Sequence, residues 1–177
     1  MLKRIAAAAL AILAAACSEG ANTPDTQAGA TPGAEAGRYK TDMTMQELMA
    51  RVIDPAADGV WLNQGWVIDS GGTRELFPTD EAGWFAVESA AASIAETSNL
   101  LLLPGRAVDD ERWTDYAHKL YDAGINARKA AESRDKQAFF DAGGAIYVVC
   151  RDCHARFILG EEPPAMQGPP PPDPSLP

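Results

Sequence analysis

The sequence predicts an all-α domain, an up-down-up-down four-helix bundle. Three observations carry that prediction. Between residues 41 and 160, four segments of about 20 residues each repeat apolar side chains at helical spacing. Short breaks rich in Gly, Pro, Ser and Asp separate them, which favours antiparallel neighbours. No segment shows a sustained alternation of apolar and polar residues among strand-forming side chains.

The first helix opens at Thr44-Met45-Gln46-Glu47, a capping box with Thr44 as N-cap and Glu47 at the third helical position. Met45, Leu48, Met49, Val52, Ile53 and Ala56 then share one face. Asp54-Pro55 interrupts the run. Either the helix kinks there, or it restarts with Asp54 as a new cap and Pro55 in its first turn. Val60, Trp61, Trp66, Val67 and Ile68 carry it on to Ser70-Gly71-Gly72. The second helix is expected from Pro78-Thr79-Asp80-Glu81, with Thr79 as cap and acids in the first turn. Its stripe is Trp84, Val87, Ala91, Ile94, Ala95, Ser98, Leu101 and Leu102, and Pro104-Gly105 stops it. The third runs from about Asp110 to Ser133 with Trp113, Tyr116, Ala117, Leu120, Gly124, Ala127 and Ala131 on one face. The fourth starts near Asp135 and passes through Phe139, Phe140, Ala142, Gly143, Ile146 and Tyr147 to Cys150, Cys153, His154, Phe157 and Ile158.

Both ends differ in character from this core. Lys3 and Arg4 precede twelve apolar residues, Ile5 to Ala16, too short for a mature membrane span and suited to an export signal, 1–16. Leu13-Ala14-Ala15-Ala16-Cys17 resembles the lipobox of bacterial lipoproteins, which implies cleavage before Cys17 and a lipid on its thiol. Ordinary secretory cleavage after the alanine run is the alternative. Ser18 after the cysteine resembles outer-membrane sorting. Residues 17–40, of Gly, Ala, Thr and Pro with scattered acids, cannot bury enough surface to fold and read as a tether of about 25 Å reach. Residues 161–177 include PPPPDP and read as a solvated Pro-rich tail. The remaining 41–160 form one domain able to bury a core. The net charge of −10 becomes more acidic when Lys3 and Arg4 leave with the leader. That argues against nucleic acid and against binding anionic lipid by charge, leaving the lipid anchor as the membrane link. It suits a partner with a basic docking face, or serves solubility alone.

The chemistry is concentrated in Cys150-Arg151-Asp152-Cys153-His154. A structural zinc site needs four closed ligands, and beyond these three the chain offers only His118, carboxylates and Cys17. His118 falls on the polar side of its helix. A redox dithiol places its first cysteine at a helix N-terminus beside a strand, whereas this motif comes late in a helix. Cys-x-x-Cys-His is also the attachment signal of a c-type haem. On a helix, positions i, i+3 and i+4 share a face, so Cys150 and Cys153 can form thioethers to one covalent haem c while His154 holds the iron. The export signal and the cysteine census agree with this reading.

The motif's place on the last of four helices resembles the class II c-type cytochromes, cytochrome c prime and its low-spin relatives. The resemblance covers residues 41–159. Gly143, Gly144 and Ala145 fit it, since small residues before the motif let a haem or a neighbouring helix approach. The stretches Asp54 to Asp58 with Trp61, and Asn99 to Gly105, look like a proteobacterial branch described mostly as cytochrome c-like. The resemblance implies that a Met of the first helix binds iron in low-spin members, and that cytochrome c prime leaves this place open to nitric oxide or carbon monoxide. Met49 is the candidate sixth ligand, with Met45 in reserve, and core filling is the competing role for both. Trp61, Trp84, Trp113 and Tyr116 are expected to wall the haem or pack the core. Arg151 and Arg156 are candidates for pairing a haem propionate. The expected function is electron transfer in the periplasm at the outer membrane, without enzymatic chemistry, toward redox partner proteins. Family bundles often dimerise through the first two helices, so a homodimer is an expectation of the resemblance alone.

Overall fold

The computed structural model describes residues 38–163, all within one compact unit. The expected leader, the Cys17 anchor, most of the tether and residues 164–177 lie outside the described residues. The described chain is mostly helical with one small two-stranded sheet, compatible with an all-α bundle. Its elements are α1 (Met45–Leu48), a π-helical turn (Met49–Ile53), α2 (Asp54–Trp61), β1 (Trp66–Asp69), β2 (Gly72–Glu75), α3 (Glu81–Ser98), a 3-10 turn (Asn99–Leu102), α4 (Glu111–Glu132), α5 (Lys136–His154) and a second π turn (Ala155–Leu159).

The first helical stretch starts at the expected capping box. Glu47 N–H donates to Thr44 Oγ1 at 3.2 Å and Thr44 N–H donates to Glu47 Oε2 at 3.0 Å. At Asp54-Pro55 the helix neither kinks apart nor restarts from an Asp54 cap. Proline cannot donate to a carbonyl four residues back, and its ring clashes with that carbonyl. The backbone widens instead into a π turn, where Asp54 N–H donates to Met49 O, and α2 continues with Pro55 in its first turn.

The sequence expectation fails next. The helix stops at Trp61, and Trp66, Val67 and Ile68 form a strand of a β-hairpin. Gly65 has φ +90°, a conformation that ends a helix and that other residues rarely adopt. Asp69 pairs with Gly72 across the two-residue turn Ser70-Gly71, and Asp69 Oδ1 accepts from Gly71 N–H at 2.8 Å. The hairpin lies against α5 through Trp66, whose ring meets Phe77 at 5.1 Å and Phe140 at 5.5 Å between centroids.

The α3 cap is Asp80, not Thr79: its carboxylate accepts from Gly83 N–H at 2.8 Å. Asp110 and Asp135 cap α4 and α5 in the same way, at 2.8 and 3.0 Å. These caps agree with the expected starts of the third and fourth helices. On α5, Phe139, Gly143 and Ile146 are buried, whereas Phe140 and Tyr147, expected on the same face, are exposed.

The core joins α3, α4 and the buried side of α5 through Val87, Ala91, Ile94, Leu120, Ala127, Phe139 and Ile146. Trp84 packs edge-on to Phe139 at 6.0 Å, within this core. α3 and α4 cross closely, and a Cβ added to Gly124 would lie 2.7 Å from Ala95 N and 3.0 Å from Ala91 O. Those atoms are backbone and cannot swing away. Gly124→Ala gains up to about 1 kcal/mol of helix propensity and loses about 1–3 kcal/mol to overpacking. The expected net result is a lower urea midpoint with an unchanged m-value; an unchanged midpoint would contradict the close crossing.

Candidate functional site

The two π turns and the last part of α5 border an opening in the bundle. There a cavity of approximately 720 Å³ lies between α1–α2, α4 and α5. That volume falls within the range of small-molecule and cofactor sites. One wall is α5, with Tyr147, Cys150, Cys153 and His154. The wall opposite is the first π turn and α2, with Met49, Ala50, Ile53, Ala57 and Trp61. The third wall is α4, with Trp113, Tyr116, Ala117 and Leu120. Gln46, Asp54, Arg151 and Glu161 are the polar lining residues.

The structure therefore brings Cys150, Cys153, His154 and Met49 to one cavity. The helical run of α5 places the two thiols and the imidazole on its cavity side, because i, i+3 and i+4 are neighbours on a helix. Met49 begins the π turn, so the widening forced at Pro55 also sets where Met49 sits on the cavity wall. Met45 does not line the cavity and packs against the core from outside it. His118 is exposed, as expected from its position on α4. Of the aromatic candidates, Trp61, Trp113 and Tyr116 line the cavity, and Trp84 does not. Trp61 is held by its indole N–H, which donates to Gly143 O at 3.0 Å. The Trp113 indole N–H donates to Leu101 O at 2.9 Å, and the Trp113 ring meets Phe157 edge-on at 5.1 Å.

Gly143 does not line this cavity. Its missing side chain makes room for Gln64, which would lie 2.2 Å from an added Cβ, so the glycine serves a close segment approach. Sequence reasoning missed Gln64, Gln46, Asp54 and Glu161 as lining residues of this end of the bundle. No spacing signal marks them, because the breaks at Pro55, Gly65 and Gly160 bring them there.

The arginines divide. Arg156 is engaged by Asp110 at 3.8 Å and Glu162 at 3.4 Å. The first residues of the expected tail are thereby tied to the bundle, and Glu161 N–H also donates to Ala155 O at 2.9 Å. Arg151 sends both Nε, at 2.7 Å, and Nη2, at 2.6 Å, to the same Asp152 oxygen. Nε meets it with hydrogen-bond geometry, whereas the buried Nη2 is paired with it by charge and is not aligned for a hydrogen bond. A carboxylate on a cavity occupant would give that N–H a better-aligned acceptor.

The two thiols are free. Burial pushes both up to about 11, with the Asp54 carboxylate adding to the effect at Cys150 and Cys150 adding to it at Cys153. Such thiols are protonated at neutral pH, the opposite of an activated redox dithiol. Among the described residues, no three His, Cys, Asp or Glu side chains converge as a metal cage. The arrangement offers two half-buried thiols, an exposed imidazole and a thioether, all lining one largely apolar cavity. No family model, no curated protein and no solved structure matches the chain.

The raised thiols couple folding to pH. The folded values lie above the ordinary 9.0, so their contribution to stability is complete below about pH 9 and is lost as pH rises toward about 11. In the protein with both cysteines unmodified, the urea midpoint should fall more steeply over that window than in a Cys150→Ala, Cys153→Ala variant. Parallel pH profiles for the two proteins would show that the thiols are not buried as described.

Proposed function

We propose that this chain is a haem c-binding electron-transfer protein, with one covalent haem in the cavity of the bundle. The carrying observation is that a single apolar cavity brings together Cys150, Cys153 and His154 on α5 and Met49 on the facing π turn. The residues fit the group. Two thiols i, i+3 apart suit thioether attachment along one edge, and His154 suits the proximal iron position. Met49 suits the sixth position, as a thioether held by the widened turn. The apolar walls of Ile53, Ala57, Trp113 and Leu120 suit a large flat aromatic group. Arg151 Nη2 suits one of its carboxylates.

A flat aromatic occupant would cover the apolar walls of this open cavity, and each Å² of apolar surface removed from water contributes about 25 cal/mol.

When bound, haem supplies a one-electron iron couple. The chain's part is to attach it, exclude water and hold both axial ligands. A His–Met pair leaves little to rearrange between oxidation states, and the thioether raises the potential. The acidic surface suits partners with a basic docking face. The same proposal places the protein in the periplasm, anchored at the outer membrane through a lipid on Cys17. No described helix is long and apolar enough to cross a membrane.

Protein made with the c-type haem attachment machinery should keep its haem on a denaturing gel and lose it in Cys150→Ala, Cys153→Ala. Met49→Ala should convert a low-spin ferrous spectrum to a high-spin one that responds strongly to carbon monoxide, and Met45→Ala should leave it low-spin. A spectrum that is high-spin and carbon monoxide-responsive from the start would replace the His–Met reading with an open site for nitric oxide or carbon monoxide. Absence of covalent haem would overturn the proposal.

A further inference from the structure

A second concavity lies on the outer side of α5, a groove of approximately 220 Å³ lined by Trp61, Gln64, Phe140, Gly143, Gly144 and Tyr147. None of these residues is charged. Phe140 is 41% and Tyr147 57% exposed, although both are large rings on a helix that buries Phe139 and Ile146 completely. They stand seven residues apart with Gly144 between them, and an added Cβ at Gly144 would meet nothing within 4 Å. The result is an aromatic slot with an open glycine floor. Trp66 backs Phe140 at 5.5 Å, and Trp61 meets Tyr147 edge-on at 6.3 Å.

We propose that the groove is the docking site for this chain's own Pro-rich segment, Pro169 to Pro172, taken up in cis as a polyproline II helix. Aromatic-lined grooves recognise such segments because the helix is stiff before it binds, so docking costs little ordering entropy. The dimensions agree. Phe140 and Tyr147 are separated by about 10.5 Å along α5 at 1.5 Å per residue. One polyproline II turn is about 9.3 Å, which sets Pro169 and Pro172 at nearly the spacing of the two rings. The connection also agrees. Glu161 lines the large cavity, and Trp61 and Tyr147 line both that cavity and the groove, so the root of the tail faces the same wall. Eight residues separate Glu161 from Pro169, enough to reach about 25 Å at 3.1 Å per residue. Gly144 lies about 22 Å back along the helix from Leu159.

The chemistry of the occupant matches as well. Among residues 164–177 only Asp173 is charged, so the segment brings almost no charge to an acidic protein. Proline carbonyls need donors, and the Tyr147 hydroxyl and the Gln64 amide are the side-chain donors at the groove besides the Trp61 indole, which Gly143 already engages. The short connection makes weak contacts sufficient. At an effective concentration of about 1 mM, a Kd of roughly 0.1 mM already gives about 90% occupancy. A docked tail would lie beside Trp61 and Tyr147, two side chains that also wall the cavity. The groove includes none of Cys150, Cys153, His154 or Met49, so docking and haem binding fail or hold separately.

The test compares NMR resonances of Phe140, Gly144 and Tyr147 in the full chain, in a chain ending at Pro163, and in a full chain with Pro169, Pro170, Pro171 and Pro172 each changed to Ala. Both changes should shift those three residues alike and leave α3 unaffected. A synthetic peptide of residues 164–177 added to the shortened chain should restore the full-chain positions saturably. Gly144→Leu, which fills open space and gains helix propensity, should keep or raise the urea midpoint while weakening that peptide at least tenfold. Coincident spectra for the full and shortened chains would overturn the proposal. Shifts that grow with protein concentration alongside a doubled mass would also overturn it, in favour of a tail that docks on a second copy.

Discussion

The close crossing of α3 and α4 is the constraint on which the rest of the structure depends. A bundle that keeps a large cavity at one end has to be held tightly elsewhere. Here that hold comes from Gly124 lying against the Ala91–Ala95 backbone, with Val87, Ile94, Ala127 and Phe139 filled in around it. Close-packed interiors resist small displacements, so this half acts as a rigid frame. Against it, α1–α2 and the last part of α5 stand apart and leave space between them.

Two local departures from the α-helix border that space. Pro55 prevents an ordinary turn, and the chain widens over Met49–Ile53. Beyond His154 the chain widens again over Ala155–Leu159 before Gly160, at φ +70°, turns it back. Each π turn contributes lining residues to the cavity. Such turns occur often at functional sites because the extra residue re-aims side chains without breaking the helix. Here Met49 lies at the start of one and His154 immediately before the other, so the two candidate iron ligands sit where the backbone is least regular.

The hairpin has a different role. Its Trp66 covers Phe140, and Glu75 pairs with Lys136 at the start of α5. The turn that leads into it sets Gln64 against Gly143, and α5 lines both the large cavity and the aromatic groove. Tyr147 and Trp61 belong to both, which connects the two sites through shared side chains rather than through the backbone.

By itself the sequence determined the mostly helical character, the capping box at Thr44 and the starts of helices near Asp110 and Asp135, and it set Cys150, Cys153 and His154 at helical spacing. Those features are local: caps act within one turn, and i, i+3, i+4 spacing needs only a helix. The hairpin is not legible in the sequence because Trp66, Val67 and Ile68 continue the helical pattern of Val60 and Trp61 as well as having strand composition, and Gly65 at positive φ decides between them. Asp is a stronger N-cap than Thr by type, and it is Asp80 whose extended backbone and carboxylate cap α3. The preference for Met49 over Met45 was legible in helix position and agrees with the cavity lining; tertiary structure alone decided that Arg156 pairs with Asp110 and Glu162 while Arg151 pairs with Asp152, and that Gly143 makes room for Gln64. These depend on how separate segments cross, and crossings are set by the volume of side chains distant in sequence, which no local pattern encodes.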